Sequence, residues 1–290
     1  MPKHALRRVM TATAAAVGTL ALGLTDATAH ATPTLDYVAL GDSYSAGSGI
    51  LPVDPTNLLC LRSTANYPHV IAAATGARLK DVTCGAAQTA HFTQAQYPGV
   101  APQVNALSSD TDLVTLTIGG NDNSTFINAI TACGSAGVLS GGKGSPCKDR
   151  HGTSFTDQIE ANTYPALKEA LRTVRAKAPG ARVAALGYPW IMPATADPSC
   201  FAKLPIAAGD VPYLRDIQER LNSAVRRAAE ETGATYVDFS GVSEGHDACK
   251  PSGTRWIEPL LFGNSLVPVH PNAFGERRMA EQTMKVLGLS

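Results

Sequence analysis

Four groups suited to acyl-transfer chemistry stand far apart in the chain: Ser43, Gly85, Asn121 and His270. A serine hydroxyl becomes a nucleophile when a base takes its proton, and imidazole is the side chain best matched to that task near neutral pH. The tetrahedral intermediate that follows attack on a carbonyl needs N–H donors, which a glycine backbone and a carboxamide can supply. Each residue also has a plainer role. Ser43 suits a helix N-cap, Gly85 a turn, and Asn121 a loop that bonds its own backbone. Singly, Gly85 and Asn121 would be read that way; as a set with Ser43 and His270, the four point to acyl transfer.

A parallel sheet would bring them together. The run LDYVALG (35–41) is short, β-rich and almost continuously apolar, as a strand buried on both faces should be. Similar runs recur at 79–84, 112–120, 181–189 and 234–240, separated by helical patterns at 66–75, 154–178, 211–232 and 272–287. This alternation predicts a doubly wound α/β/α sandwich around a mostly parallel five-stranded sheet. In such sheets ligands bind beyond the carboxyl ends of the strands. Gly41-Asp42-Ser43 follows the first run, Gly85 the second and Gly119-Gly120-Asn121-Asp122 the third, with His270-Pro271-Asn272 near the C-terminus. Segments 48–65 and 133–153, the latter with its SGGKGSP run, read as irregular surface insertions.

The blocks GDSYSAG, CGA, GGND and HPN, in this order, resemble those of the SGNH (GDSL) hydrolases, most closely the exported lipases, esterases and phospholipases of actinobacteria. The resemblance covers nearly all of the chain after its first 31 residues. It implies Ser43 as nucleophile and His270 as general base, acting through an acyl-enzyme. It also implies an oxyanion hole made by the Ser43 and Gly85 N–H groups and the Asn121 carboxamide. Its three-disulfide pattern implies Cys60 with Cys84, Cys133 with Cys147 and Cys200 with Cys249, each of which would brace an irregular stretch.

The chain departs from the family at one position. Most relatives place an Asp three residues before the histidine to orient its ring, and here that position is Val267. Its backbone carbonyl, or that of Pro268, is expected to take over, giving a Ser-His dyad; Glu258 or Asp247 folding in from elsewhere is the alternative. Asp42 is expected to be structural, bonding nearby N–H groups. His246 competes with His270 but neighbours Cys249 and is expected to be structural. His69, His91 and His151 read as surface residues, and His4 and His30 fall in the leader.

That leader is residues 1–31: Lys3, Arg7 and Arg8 precede an apolar stretch too short to span a bilayer, followed by A-x-A patterns at 27–29 and 29–31. The expectation is an exported protein with a single domain over 32–290 and no stable membrane anchor. Without the leader, the 24 basic and 24 acidic residues fall to 21 and 23. That balance, with no basic cluster beyond two Arg pairs, disfavours nucleic acid as a partner. No C-x-x-C, H-E-x-x-H, G-x-G-x-x-G or phosphate-binding loop occurs, so neither metal nor cofactor is expected. Nothing suggests more than a monomer.

The expected partner is a small-molecule or lipid ester. YPWIMP (188–193) and LLCL (58–61) are candidates for apolar walls of an acyl site. Core packing is an equal alternative for Trp190 and Met192 and the expected role for Leu58 and Leu61. Competing readings are a carbohydrate O-acetyl or aryl esterase with the same dyad, and a non-catalytic secreted binding domain.

Overall fold

A computed structural model describes Met1 and residues 34–289. The leader expected over 1–31 thus lies outside the described residues, Met1 apart.

The elements run β1 (Asp36–Gly41), α1 (Ser43–Ala46), α2 (Tyr67–Thr75), β2 (Arg78–Asp81), β3 (Leu113–Thr117), α3 (Thr125–Leu139), α4 (Pro146–His151), α5 (Ser154–Gln158), α6 (Tyr164–Lys177), β4 (Arg182–Leu186), α7 (Val211–Thr232), β5 (Thr235–Val237) and α8 (Ala273–Leu287). The strands form one sheet in the order β2-β1-β3-β4-β5, and every pairing is parallel. Chain direction across the sheet reverses between β1 and β3, which is where an open α/β sheet offers its crevice.

Alternation along β1 explains why helices lie on both faces. Val38 and Leu40 join one apolar cluster with Leu171 of α6 and Ile217 of α7. Tyr37 and Ala39 join a second with Ile71 of α2 and Met279 of α8. Strand side chains point alternately to opposite faces, so a run apolar at every position must be covered twice.

The structure corrects two expectations about helices. Segment 133–153 is not irregular: its first residues end α3, and α4 follows, with the Cys133–Cys147 disulfide joining the two helices. Small residues serve contact here, because a Cβ on Gly137 would lie 2.1 Å from the Pro205 carbonyl oxygen. The helix expected over 154–178 is broken by a wider turn at Ile159–Thr163. Pro165, which has no N–H to give and crowds the preceding turn, follows directly. Segment 48–65 holds only one short turn of helix at Leu58–Cys60. The other disulfides, Cys60–Cys84 and Cys200–Cys249, complete the neighbour pairing that the family resemblance implied.

Candidate active site

Ser43 opens α1 directly after β1, and the turn depends on Gly41. Gly41 has φ +122, and a Cβ there would lie 2.4 Å from the Thr117 carbonyl oxygen. Only glycine lets β1 and β3 close so tightly at this edge. Gln103 clasps the same residue, accepting the Gly41 N–H at 2.7 Å and donating to its carbonyl at 3.0 Å. Asp42 caps α1 by accepting the Tyr44 N–H at 3.0 Å. It also accepts the hydroxyls of Thr117 (2.7 Å) and Tyr188 (2.6 Å). Burial pushes its carboxyl up to about 6 against the pull of these three donors. The Tyr188 hydroxyl accepts the Gly120 N–H as well, at 3.0 Å. Asp42 therefore ties together the chain leaving β1, β3 and β4.

His270 reaches this point from 227 residues away, with Nε2 2.7 Å from Ser43 Oγ. Its Nδ1 lies 2.8 Å from the Pro268 carbonyl oxygen. Of the two carbonyls expected to orient the ring, the structure thus places that of Pro268 on it, a correction to the assignment of Val267. Val269 has φ +59, and this left-handed turn swings the Pro268 carbonyl toward the ring. Val267 packs instead against Gly49. A β-branched residue rarely adopts positive φ, so the turn must be held from outside. The Val269 N–H donates to the Glu258 carbonyl (3.0 Å), the Glu258 N–H to the His270 carbonyl (2.9 Å), and the Tyr44 hydroxyl to the Val269 carbonyl (2.8 Å).

Neither remote carboxylate contacts the imidazole. Glu258 accepts from Arg255 (2.7 Å), the Asn264 N–H (2.7 Å) and Asn272 (2.9 Å), while Asp247 caps the Cys249 N–H at 3.0 Å. Burial holds His270 below the usual imidazole range, with the Pro268 bond opposing. His246 is engaged elsewhere, its Nδ1 2.6 Å from the Thr254 carbonyl and its ring stacked on Trp256.

The N–H groups free to receive an oxyanion differ from expectation at one residue. Asn121 follows β3, and its Nδ2 donates one hydrogen to the Ala87 carbonyl at 3.1 Å, leaving the second for a ligand. The Gly85 N–H is not available, since it donates to the Cys60 carbonyl at 2.8 Å. The Cys60–Cys84 bridge draws that loop so close that a Cβ on Gly85 would sit 3.1 Å from the same oxygen. The next residue, Ala86, has φ +61, and its N–H has no acceptor among the described residues. The same holds for the Ser43 N–H. Left-handed φ in a residue other than glycine marks stored strain, which clusters at functional sites. The available donors are therefore the N–H groups of Ser43 and Ala86 and the amide of Asn121.

A cavity of about 430 Å³ has Ser43, Asn121 and His270 in its wall. Its long side is one face of α3: Phe126, Ile130, Gly134 and Val138, each four residues after the last. Of the YPWIMP segment, Tyr188 and Ile191 line the cavity. Trp190 and Met192 are buried in the core instead, and Arg215 lies over the Trp190 ring at 3.8 Å. Leu58 and Leu61, expected inside, are exposed. Among the described residues no group of three or more His, Cys, Asp or Glu could hold a metal ion.

Known proteins resemble this chain over most of its length. A profile of the GDSL-like Lipase/Acylhydrolase family matches residues 39–278. The chain is 86% identical to Lipase 2 of Streptomyces coelicolor, with 100% of each covered. The crystal structure of phospholipase A1 from Streptomyces albidoflavus superposes with TM-score 0.72 at 30% identity, covering 88% of this chain and 98% of the other. That of an extracellular lipase from Streptomyces rimosus gives 0.71 at 29% identity, covering 88% and 99%.

Proposed function

The chain belongs to the GDSL-like lipase/acylhydrolase family, and we propose that it is a secreted hydrolase of lipid esters working through a Ser43–His270 dyad. In this reading Ser43 Oγ attacks the ester carbonyl carbon while His270 Nε2 takes the hydroxyl proton. The negative charge passes to the carbonyl oxygen, which the Ser43 and Ala86 N–H groups and the Asn121 amide receive. The intermediate collapses, the C–O bond to the alcohol breaks, and His270 returns its proton to the leaving oxygen. Water then repeats the sequence on the acyl-enzyme, giving a proton to His270 and releasing the acid with Ser43 restored. Through both halves the Pro268 carbonyl holds Nδ1–H, fixing the tautomer that leaves Nε2 free to accept.

The uncharged face of α3 carries the lipid reading. From Phe126 to Val138 it extends roughly 18 Å at the helical rise, far more wall than an acetyl group can cover. Secretion is supported by three disulfides, which persist in oxidising compartments, and by the extracellular lipase among the similar structures. The name of the phospholipase A1 neighbour keeps phospholipids among the candidate substrates.

A series of p-nitrophenyl esters tests the reading. Each methylene buried in the cavity should raise kcat/KM by about fourfold over the first members, the equivalent of about 0.8 kcal/mol. A maximum at the acetate ester would favour a carbohydrate O-acetyl or aryl esterase. No turnover of any ester would leave a binding domain.

A further inference from the structure

Large apolar side chains are exposed on three segments around the cavity. Phe262 is 81% exposed and Leu266 73% in loop 259–269, and Leu51 is 68% and Leu58 64% in loop 48–65. On α3, Ile127 and Val138 are more than half exposed and also line the cavity, so its wall runs out onto the surface. Leu260 in loop 259–269, about a third exposed, also lines the cavity. The two loops are joined where the Ser265 hydroxyl donates to the Gly49 carbonyl at 3.0 Å. Scattered exposed leucines need no explanation, but apolar side chains standing out from a cavity-lining helix, a cavity-lining loop and a second loop joined to it do.

Charge is missing from this rim. α3 has no ionisable residue except its disulfide-bonded Cys133. In loop 48–65 the charges are Asp54 and Arg62, paired with each other at 2.7 Å. From 256 to 269 the sole charge is Glu258, buried against Arg255 at 2.7 Å. Phe262 has φ +59 and yet presents its ring to solvent, so core packing does not account for its placement.

We propose that this rim docks the enzyme on an uncharged lipid–water interface, from which the ester passes directly into the cavity. The inference rests on the lipid-ester reading of the same site. A protein or a second copy seated on the rim would close the mouth above Ser43, whereas a lipid phase delivers substrate through it. The one basic residue in these segments, Arg62, is buried against Asp54, so attachment draws on apolar burial and gains little from anionic headgroups.

The test compares the unmodified rim with the triple variant Leu51→Ser, Phe262→Ser, Leu266→Ser, none of which lines the cavity. Binding to phosphatidylcholine vesicles is measured by sedimentation, with Ser43→Ala added to both proteins so that the vesicles stay intact. Turnover of dissolved p-nitrophenyl butyrate is measured without that change. The expected result is binding that is insensitive to salt and to added phosphatidylglycerol, weakened about tenfold or more in the triple variant, with turnover of the dissolved ester unchanged. Equal binding by both proteins, or binding that needs phosphatidylglycerol and fails in salt, would overturn the proposal. So would a dimer lost in the triple variant. Turnover of dissolved ester without vesicle binding defeats the rim alone; no turnover by the unmodified enzyme defeats the reading of the site, and this proposal with it.

Discussion

Where the sheet meets the cavity, Asp42, Thr117, Tyr188 and Gly120 are joined by hydrogen bonds of 2.6–3.0 Å beneath the dyad. Along α3 the same cavity is bounded by the apolar stripe of Phe126, Ile130, Gly134 and Val138, and the hydroxyls beside it, on Thr131 and Ser135, donate back to carbonyls of the helix itself. The polar edge fixes where atoms sit to fractions of an ångström, as proton transfer demands. The apolar wall needs only volume and the absence of charge. Damage to the first should slow every ester alike, and damage to the second should depend on acyl length.

The largest effect belongs to the edge. His270→Ala should lower kcat by about 10⁴-fold or more on short and long esters equally. Asn121→Ala should cost about 10²–10³-fold in kcat, again independent of chain length. A loss confined to long esters in either variant would move these residues from chemistry to binding. Gly134→Leu is the complementary break. A Cβ on Gly134 meets nothing within 4 Å, so a larger side chain can project into the cavity without disturbing the helix. The ratio of long-chain to butyrate kcat/KM should fall about 100-fold, and an unchanged ratio would mean that the acyl chain lies elsewhere.

Acidity sharpens the same contrast. His270 must be neutral to accept the Ser43 proton, and burial favours the neutral form, lowering its pKa. Activity should therefore hold as the pH drops past the ordinary imidazole value of about 6.5 and fall only below it. A midpoint above that value in kcat/KM would indicate a carboxylate counter-charge that the Pro268 carbonyl does not provide. The smallest effect is expected at Ala86→Gly. Glycine relieves the left-handed φ but adds freedom to the unfolded chain, for a net gain of about 0.5 kcal/mol. The backbone N–H is kept, so kcat should not change; thermal unfolding and kinetics check both halves.

The two regions were not equally legible in the sequence. Ser43, Asn121 and His270 could be singled out because acyl-transfer chemistry would call on such side chains, and the structure brings the three to one cavity at the sheet edge. The alternation of strand and helix likewise gave the sandwich. Groups that act through the backbone leave no such mark. The Pro268 carbonyl faces the ring because of φ at Val269, and the Ala86 N–H is available because Cys60 occupies that of Gly85. A glycine after a strand invited the assignment to Gly85, when the left-handed position is one residue later. α3 was hidden for another reason. The SGGKGSP run made the whole of 133–153 read as irregular, yet within it Gly137 permits contact with Pro205 and Gly134 leaves the cavity open. Leu58 and Leu61 were expected inside because burial is the usual fate of leucine, and the surface proposed to dock on lipid would be an exception to that rule.

The most direct measurement is covalent trapping with a long-chain alkyl phosphonate ester, followed by peptide mapping. One adduct per chain is expected, on Ser43, forming faster than with a methyl phosphonate and failing to form in Ser43→Ala. Stoichiometric labelling of another residue, or no labelling in enzyme that still hydrolyses esters, would contradict the assignment of Ser43 as the nucleophile facing this cavity.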